Sequence, residues 1–288
     1  MRPVETVHAH AKVNLVLEVL ARRETHHDIV SIVQTISLHD TLTFEDSDDV
    51  ALTCSEPSLV EDNLVTRAAL LLRQTAGVNC GIRIHLEKHI PWGAGLGGGS
   101  SDAASTLLTL NRIWGCGLDA AEIARLATQL GADVPLFLTG GTVLIEGRGD
   151  KTRVLPQMKQ MYVVLLVPES SGQPLKTATL YGALRPEAFT KGQFARAAEY
   201  ALEKSGSVPH KLMFNSFEPA ALEYFDGLRA AHDAFSRVAA RPIHVSGSGP
   251  CLYTLCHTAG EAQDIANRLR DEHYDARIAL TTGQVVDR

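Results

Sequence analysis

The residues best suited to chemistry form a glycine-rich segment in the first half of the chain. The segment runs Gly-Ala-Gly-Leu-Gly-Gly-Gly-Ser-Ser from Gly93 to Ser101. Because glycine has no Cβ, the backbone N–H groups of such a segment can lie directly against a phosphate chain. A helix that follows adds the positive end of its dipole and its unsatisfied N–H donors at the same place. The segment therefore predicts a site for nucleotide phosphates.

Two regular elements are placed to hold this segment. Alternating apolar and polar residues over Ile82 to Leu86 predict a strand before it. An apolar stripe at helical spacing predicts a helix over Ser101 to Trp114, capped by Ser100 or Ser101. A bare glycine run is more typical of a flexible turn, but its combination with a strand, paired serines and a helix favours phosphate binding. No lysine follows the glycines and no acidic residue is placed to hold a ribose, which excludes a Walker-type loop and a dinucleotide fold.

The composition limits the classes of partner. The 288 residues carry a formal net charge of −6, which argues against a broad nucleic-acid surface. Apolar stretches such as Met161 to Val167 are too short to span a bilayer, and the amino end has no signal-peptide pattern. The five scattered cysteines indicate free thiols, and the twelve histidines lack the spacing typical of metal ligands. We therefore expect a cytoplasmic protein with no nucleic-acid or membrane partner.

The order of the elements predicts an α+β fold in which mixed sheets are layered with helices. A break in the pattern follows at Gly131 to Pro135, where functional side chains are often found. A second half begins near residue 155, and we expect a catalytic cleft between the halves. The predicted strands are Val4 to Ala9, Val13 to Leu20, Ile29 to Leu38, Thr41 to Phe44, Met161 to Val167, Ile243 to Ser246 and Leu252 to Cys256. The other predicted helices are Asn63 to Gln74, Asp119 to Leu130, Phe194 to Lys204, Ala220 to His232 and Gly260 to Arg270.

Four segments, in order along the chain, resemble the motifs of one enzyme family. They are Ala11-Lys-Val-Asn-Leu15, Pro91-Trp-Gly-Ala-Gly-Leu-Gly-Gly-Gly-Ser-Ser101, Leu130-Gly-Ala-Asp-Val-Pro135 and Val245-Ser-Gly-Ser-Gly-Pro250. The family is the GHMP kinases, and the triple glycine is most similar to its 4-diphosphocytidyl-2-C-methylerythritol kinase branch. The resemblance spans almost the whole chain and implies a two-lobed fold with a central active-site cleft. It implies an ATP-binding N-terminal domain over residues 1–155 and a C-terminal domain over residues 156–288.

The resemblance implies ATP-dependent phosphorylation, with Mg²⁺, of the 2-hydroxyl of 4-diphosphocytidyl-2-C-methyl-D-erythritol. This reaction belongs to the non-mevalonate route to isoprenoid precursors. Two alternatives stay open: a GHMP kinase that acts on a different small alcohol, homoserine-like or mevalonate-like, and a non-catalytic nucleotide-binding relative. We expect a monomer or a weak homodimer, and the metal ligands stay unassigned.

The resemblance also implies roles for individual residues. Lys12 and Asp133 are the catalytic candidates, because the reaction needs a carboxylate to accept or orient the hydroxyl proton and a cation to stabilise the transferred charge. Each also has a structural explanation, Lys12 as an edge-strand residue and Asp133 as a turn residue. The candidates for substrate binding are Asn14, His26, His27, Thr177 and Tyr181. The candidates for ATP binding are Asn63, Lys88, Pro91, Trp92, Gly93, Ala94, Gly95, Leu96, Gly97, Gly98, Gly99, Ser100 and Ser101.

Two segments depart from the family pattern. Thr25-His-His-Asp28 stands where the branch usually has Gly-Tyr-His-Glu, so His26 would replace a stacking tyrosine and His27 would bind the cytosine edge. Asn215-Ser-Phe-Glu218 stands where Asn-Asp-Leu-Glu is common, which leaves the local support of the cleft open.

Overall fold

The computed structural model describes residues 4–24, 26–168, 176–283 and 286–287, with the backbone alone at 176, 177, 286 and 287. Its strands are β1 Glu5–Arg22, β2 His27–Glu45, β3 Val50–Cys54, β4 Ile82–Glu87, β5 Thr142–Gly147, β6 Lys151–Val154, β7 Tyr162–Val167, β8 Phe214–Asn215, β9 His244–Val245, β10 Leu252–Cys256, β11 Asp275–Leu280 and β12 Val286–Asp287. Its α-helices are α1 Leu64–Ala76, α2 Gly98–Ile113, α3 Ala120–Leu130, α4 Lys176–Ala183, α5 Gln193–Ser205, α6 Glu218–Tyr224, α7 Leu228–Ala239 and α8 Ala259–Asp271.

β1 and β2 form one long antiparallel hairpin, because β-branched and apolar residues predominate along both strands. The prediction of four short strands here was wrong: each predicted pair is one continuous strand. Register shifts between His10 and Ala11, and between Asn14 and Val16, mark irregularities of the β-bulge type. A bulge bends a strand and turns its side chains in a new direction. The polar residues that suggested a break after Ala9 therefore lie beside a bulge.

The two ends of this hairpin have different neighbours in a mixed, eight-stranded sheet. β4 pairs with residues 41–45 of β2, and β3 pairs with β4 in parallel. β5 pairs with residues 29–34 of β2, and β6 pairs with β5. The short strands β8 and β12 both pair with β1. β2 thus pairs with β5 up to Gln34 and with β4 from Thr41 onward. Lys12 of β1 pairs with Thr35, the first residue of the segment between these two pairings.

β7, β9, β10 and β11 form a second sheet, which is antiparallel throughout. Apolar side chains of the hairpin, such as Val13 and Ile32, form a core cluster with Leu165 and Tyr253 of this second sheet. Helices α1, α2 and α3 pack against the first sheet, and α7 and α8 contribute to a core with the second. This layering confirms the predicted α+β class with mixed sheets. The division of the chain at residue 155 stays a prediction.

The start of α2 differs from the prediction. The helix begins at Gly98, its N-cap is Gly97 with φ of 75°, and no side chain caps it. The expected serine cap was therefore wrong. Ser101 and Asp102 instead lie within the first turns and are buried. The left-handed backbone that glycine tolerates at Gly97 lets the helix start directly at the end of the loop.

Both ends of the other predicted helices lie within two residues of the observed bounds, with one exception. The helix predicted over Ala220 to His232 is two helices, α6 and α7, separated by an extended residue at Phe225 and by Gly227 with φ of 74°. Among the described residues, no helix is long and apolar enough to cross a membrane.

Candidate active site

A cavity of about 500 Å³ lies where β1, the glycine-rich loop and the amino end of α2 meet. Ser101, His26 and His27 are not among the described residues that line it, and the side chain of Thr177 lies outside the described residues. The predicted site residues that do line it are Lys12, Asn14, Asn63, Lys88, Pro91, Trp92, Gly93, Ala94, Gly95, Leu96, Gly97, Gly98, Gly99, Ser100, Asp133 and Tyr181.

The glycine-rich loop is held on two sides. On one side Lys12 N donates to Leu96 O at 3.0 Å, and on the other Ser246 Oγ donates to Gly95 O at 3.0 Å. Gly95 has φ of 86°, and a Cβ there would lie 2.2 Å from Ser246 O. Only glycine fits this approach. The loop that contains Ser246 therefore packs directly against the glycine-rich loop.

The amino end of α2 forms part of the cavity wall through Gly98, Gly99 and Ser100. The first N–H groups of a helix have no acceptor within the helix, and together with the helix dipole they favour an anion. Two further polar atoms in this turn, Ser101 Oγ and Asp102 Oδ1, are buried without a hydrogen-bond partner among the described residues. The N–H groups at this end of the helix, rather than these two oxygens, make it suited to bind phosphate.

Lys88 is held by two buried carboxylates. Its Nζ contacts Asp40 Oδ2 and donates to Asp102 Oδ2 at 2.9 Å, and only 6% of its side chain is exposed. Burial disfavours the ammonium, but Asp102 and Asp40 outweigh this effect and raise the pKa of Lys88. Burial also raises the pKa of Asp102, which Lys88 opposes and Asp40 reinforces. The ammonium of Lys88 is thus engaged within the protein.

Asn63 also has protein partners for its side chain. It is the N-cap of α1, where its Oδ1 accepts from Val65 N at 2.9 Å, and its Nδ2 donates to Leu59 O at 2.6 Å. Leu59 and Leu64 lie beside it in the cavity wall. The capping role explains its side-chain geometry, and its contact with a nucleotide stays a prediction.

A chain of hydrogen bonds orients the polar side chains of β1. Lys12 Nζ donates to Asn14 Oδ1 at 2.6 Å, and Asn14 Nδ2 donates to Ser31 Oγ at 2.9 Å. Ser31 Oγ donates in turn to Val16 O at 2.6 Å. Burial lowers the pKa of Lys12, and the negative charge of Asp133 partly offsets this effect. A buried amino group, fixed by Asn14, therefore faces the cavity.

Asp133 follows α3, in the turn before the 3-10 helix Pro135–Leu138. Its place in the turn brings it to the cavity that Lys12 also lines. In the described part of the chain, Lys12 makes no ion pair with Asp133 and donates to Asn14. Both groups nevertheless interact through their charges. The site thus holds a carboxylate and an ammonium in one cavity without a direct bond between them.

Aromatic rings form another part of the site. The rings of His27 and Tyr181 stack with centroids 4.4 Å apart, and Phe217 meets Tyr181 edge-on at 4.8 Å. His27 Nε2 is buried and has no hydrogen-bond partner among the described residues. Burial, with Arg22 and His26, lowers the pKa of His27, which favours the neutral ring. Tyr181 lines the cavity and connects His27 to it.

His26 makes different contacts. Its Nε2 lies 3.3 Å from Asp28 Oδ1, and Arg23 Nε donates to Asp28 Oδ2 at 2.6 Å. These contacts place His26 in a partly exposed charged cluster. The stacking role predicted for it from the family pattern stays a prediction.

Two residues that support the site were not among the site residues predicted from the sequence. Asn215 Nδ2 donates to Val245 O at 2.7 Å and to Gly247 O at 2.8 Å, which fixes the loop behind the glycines. Asp40 is fully buried below the start of the loop. A carboxylate within an apolar strand was the available signal for Asp40, but the predicted break between Leu38 and Thr41 removed it from the strand.

Comparisons with known proteins identify the family of this chain. The family model described as GHMP kinases N terminal domain matches residues 63–141, and the one described as GHMP kinases C terminal matches residues 187–276. A 4-diphosphocytidyl-2-C-methyl-D-erythritol kinase of Dehalococcoides mccartyi is 39% identical over 96% of this chain and 98% of its own. This chain belongs to the GHMP kinase family. A relative of the same name from Listeria monocytogenes is 35% identical over 92% of each chain. The family prediction from the sequence is confirmed.

Solved structures of GHMP kinases show the same architecture. A crystal structure of 4-(cytidine 5'-diphospho)-2C-methyl-D-erythritol kinase matches with a TM-score of 0.82 and 35% identity, over 97% of this chain and 100% of that one. A homoserine kinase from Cytophaga hutchinsonii shares the fold with a TM-score of 0.73 and 20% identity, over 100% and 98% of the two chains. The GHMP kinase fold predicted from the sequence is confirmed, and the family implies ATP as the phosphate donor.

Proposed function

We propose that this protein transfers the γ-phosphoryl group of ATP to the 2-hydroxyl of 4-diphosphocytidyl-2-C-methyl-D-erythritol. The kinases that it matches along nearly its full length carry this activity in their names. The observation that carries the proposal is the shared cavity, in which Asp133 and Lys12 face the same space as the glycine-rich loop. Phosphoryl transfer from ATP to a hydroxyl needs all three: a carboxylate at the hydroxyl, a cation at the transferred group and a loop that binds phosphates.

The glycine-rich loop and α2 bind the phosphates of ATP in this proposal. Gly97, Gly98 and Gly99 present backbone to the cavity without side chains, and the amino end of α2 supplies N–H donors. Preorganised donors of this kind stabilise the charge that develops during transfer. Trp92, half exposed at the rim, lies where it can cover the nucleotide.

Asp133 accepts or orients the proton of the acceptor hydroxyl. The hydroxyl oxygen forms a bond to the γ-phosphorus, the bond from that phosphorus to the bridging oxygen of ADP breaks, and the proton passes to the carboxylate. Lys12 stabilises the negative charge of the transferred group. Its bond to Asn14 keeps the ammonium in place, so little reorganisation is needed when the substrate binds.

Mg²⁺ completes the proposal for the phosphate end. The described residues contain no group of three or more histidine, cysteine or acidic side chains that could hold a metal alone. Mg²⁺ is commonly held by one or two protein oxygens and by substrate phosphates, and the Ser100 hydroxyl and the unpartnered Asp102 Oδ1 fit that need. When bound there, the ion would neutralise charge on the phosphates.

The aromatic end of the cavity binds the cytosine base. Tyr181 offers a ring face next to Phe217. His27 stacks on Tyr181 outside the cavity lining, and in this proposal the base reaches past Tyr181 to the buried, unpartnered Nε2 of His27, which accepts a hydrogen bond from it. Asn14 contacts the methylerythritol portion, because it lies beside Lys12 in the cavity. Thr177 and His26 complete the set proposed from the family pattern. We further propose a cytoplasmic enzyme that is a monomer or a weak homodimer.

The test is ATP consumption with Mg²⁺ and 4-diphosphocytidyl-2-C-methyl-D-erythritol, beside homoserine, mevalonate and galactose as competing acceptors. We expect saturable turnover with the cytidyl substrate alone, and loss of it in Asp133→Asn. Turnover with another alcohol alone would show that the acceptor is different and that the phosphoryl-transfer chemistry is the same. ATP binding without turnover on any acceptor would refute catalysis.

A further inference from the structure

The two ends of the glycine-rich loop meet on one buried side chain, Asp40 of β2. At the start of the loop, Asp40 Oδ1 accepts from His89 N at 2.6 Å and from Ile90 N at 2.8 Å. At the far end, a Cβ on Gly98 would lie 3.2 Å from Asp40 Oδ2, so the first residue of α2 rests against the same carboxylate. Asp40 is fully buried and does not line the cavity.

Lys88 joins this carboxylate to α2. Its Nζ contacts Asp40 Oδ2 and donates to Asp102 Oδ2 at 2.9 Å. The backbone N of Lys88 donates to Ser55 Oγ at 2.9 Å, which holds the residue at the end of β4. One ammonium therefore connects β2, the entry to the loop and the first turns of α2. Burial of two carboxylates without a cation would be costly, so the ammonium of Lys88 stabilises the arrangement.

We propose that Asp40, Lys88 and Asp102 form a clamp that sets the shape of the phosphate loop, and that Lys88 acts on ATP through the loop and not by contact. This inference rests on the proposed ATP site and changes the role that the sequence predicted for Lys88. These are positioning residues. Correct placement of backbone N–H groups decides phosphate affinity, because their directions are set by the conformation of the loop.

Asp40→Asn is the sharpest variant, because Asp40 is fully buried and does not line the cavity. The amide oxygen can still accept from the backbone, but the charge that pairs with Lys88 is lost. We expect Asp40→Asn and Lys88→Met each to weaken ATP binding by about tenfold or more, with acceptor affinity changed by less than about twofold. Asp102 is left intact, since its other oxygen is a proposed Mg²⁺ ligand. Arg153→Met is the matched control, because it removes the cation of an ion pair with Glu199 at the surface.

The measurements are calorimetric Kd values for ATP and for the acceptor separately, with thermal unfolding of each variant. Weaker ATP binding in Lys88→Met but not in Asp40→Asn would show a direct contact and overturn the clamp. A parallel loss of both ligands would show a general structural defect and would also overturn it. Absence of ATP binding in the wild type would refute the proposed function itself, which separates the two failures.

A second measurement covers the case in which Asp40→Asn does not fold. Hydrogen exchange reports the amides of His89 and Ile90, which the clamp holds. We expect their exchange to be about tenfold faster in Lys88→Met than in the wild type or in Arg153→Met. Equal exchange in Lys88→Met and the wild type would overturn the clamp.

Discussion

The two ends of the cavity are built in different ways. The phosphate end comes from one continuous segment, Pro91 to Ser100, supported by buried charges at Asp40, Lys88 and Asp102. The aromatic end comes from side chains far apart in sequence: Tyr181 and Phe217 line the cavity, and His27 stacks on Tyr181. The first end is set by backbone conformation and the second by ring contacts. Substitutions should therefore separate ATP binding from acceptor binding.

In the proposed reaction Asp133 acts on the acceptor hydroxyl, so its loss should have the largest effect. Asp133→Asn keeps the shape but removes the proton acceptor. We expect kcat to fall by about 1,000-fold or more, with the Kd of both substrates nearly unchanged. Steady-state kinetics and calorimetry measure these quantities. Near-normal kcat in this variant would refute the role of Asp133.

Gly95→Ala should damage the phosphate end alone. A Cβ would lie 2.2 Å from Ser246 O, so the loop must move. We expect the KM for ATP to rise by about 100-fold, because displacement of about 1 Å at a binding loop has costs of this size. The matched control is Gly77→Ala at the end of α1, where φ is also positive, at 65°, but nothing lies within 4 Å of a Cβ. Equal KM values for the two variants would show that loop shape does not govern ATP binding.

Tyr181→Ala should affect the acceptor end alone. It removes the ring that stacks on His27 and meets Phe217. We expect the KM for the acceptor to rise by about tenfold, with the KM for ATP unchanged. Tyr181→Phe keeps the ring and should retain nearly normal KM values. A change in the ATP KM for Tyr181→Ala would contradict the separation of the two ends.

A pH dependence of acceptor binding should be the smallest effect. Burial, then Arg22 and His26, lower the pKa of His27. The neutral ring therefore persists to a pH below the ordinary histidine pKa of about 6.5. As pH falls further, protonation removes the lone pair that accepts from the base. We expect the acceptor KM to rise by about threefold below that pKa, and to stay flat in His27→Gln. The same rise in His27→Gln would assign it to another group.

The local patterns in the sequence predicted much of this protein. The helix predicted over Asp119 to Leu130 has nearly the observed bounds of α3, because its start depends on residues within one turn: Asp119 and Glu122 form a capping box there. The serine cap of α2 was wrong because Gly97 starts the helix by its backbone, which depends on contacts with the remainder of the loop. The strands on either side of Lys12 were separated for a similar reason, since polar residues within a strand resemble a break when the bulge is unknown.

By itself the sequence determined the family, and it marked the glycine-rich loop, Lys12 and Asp133 as candidates, because each belongs to a short motif with its own chemistry. The tertiary structure alone decided that Lys88 is held by Asp40 and Asp102, and that His27 stacks on Tyr181. These pairs join segments up to about 150 residues apart, and their contact depends on sheet register, bulges and packing. No local pattern carries that information, so the support of the site emerged only with the fold.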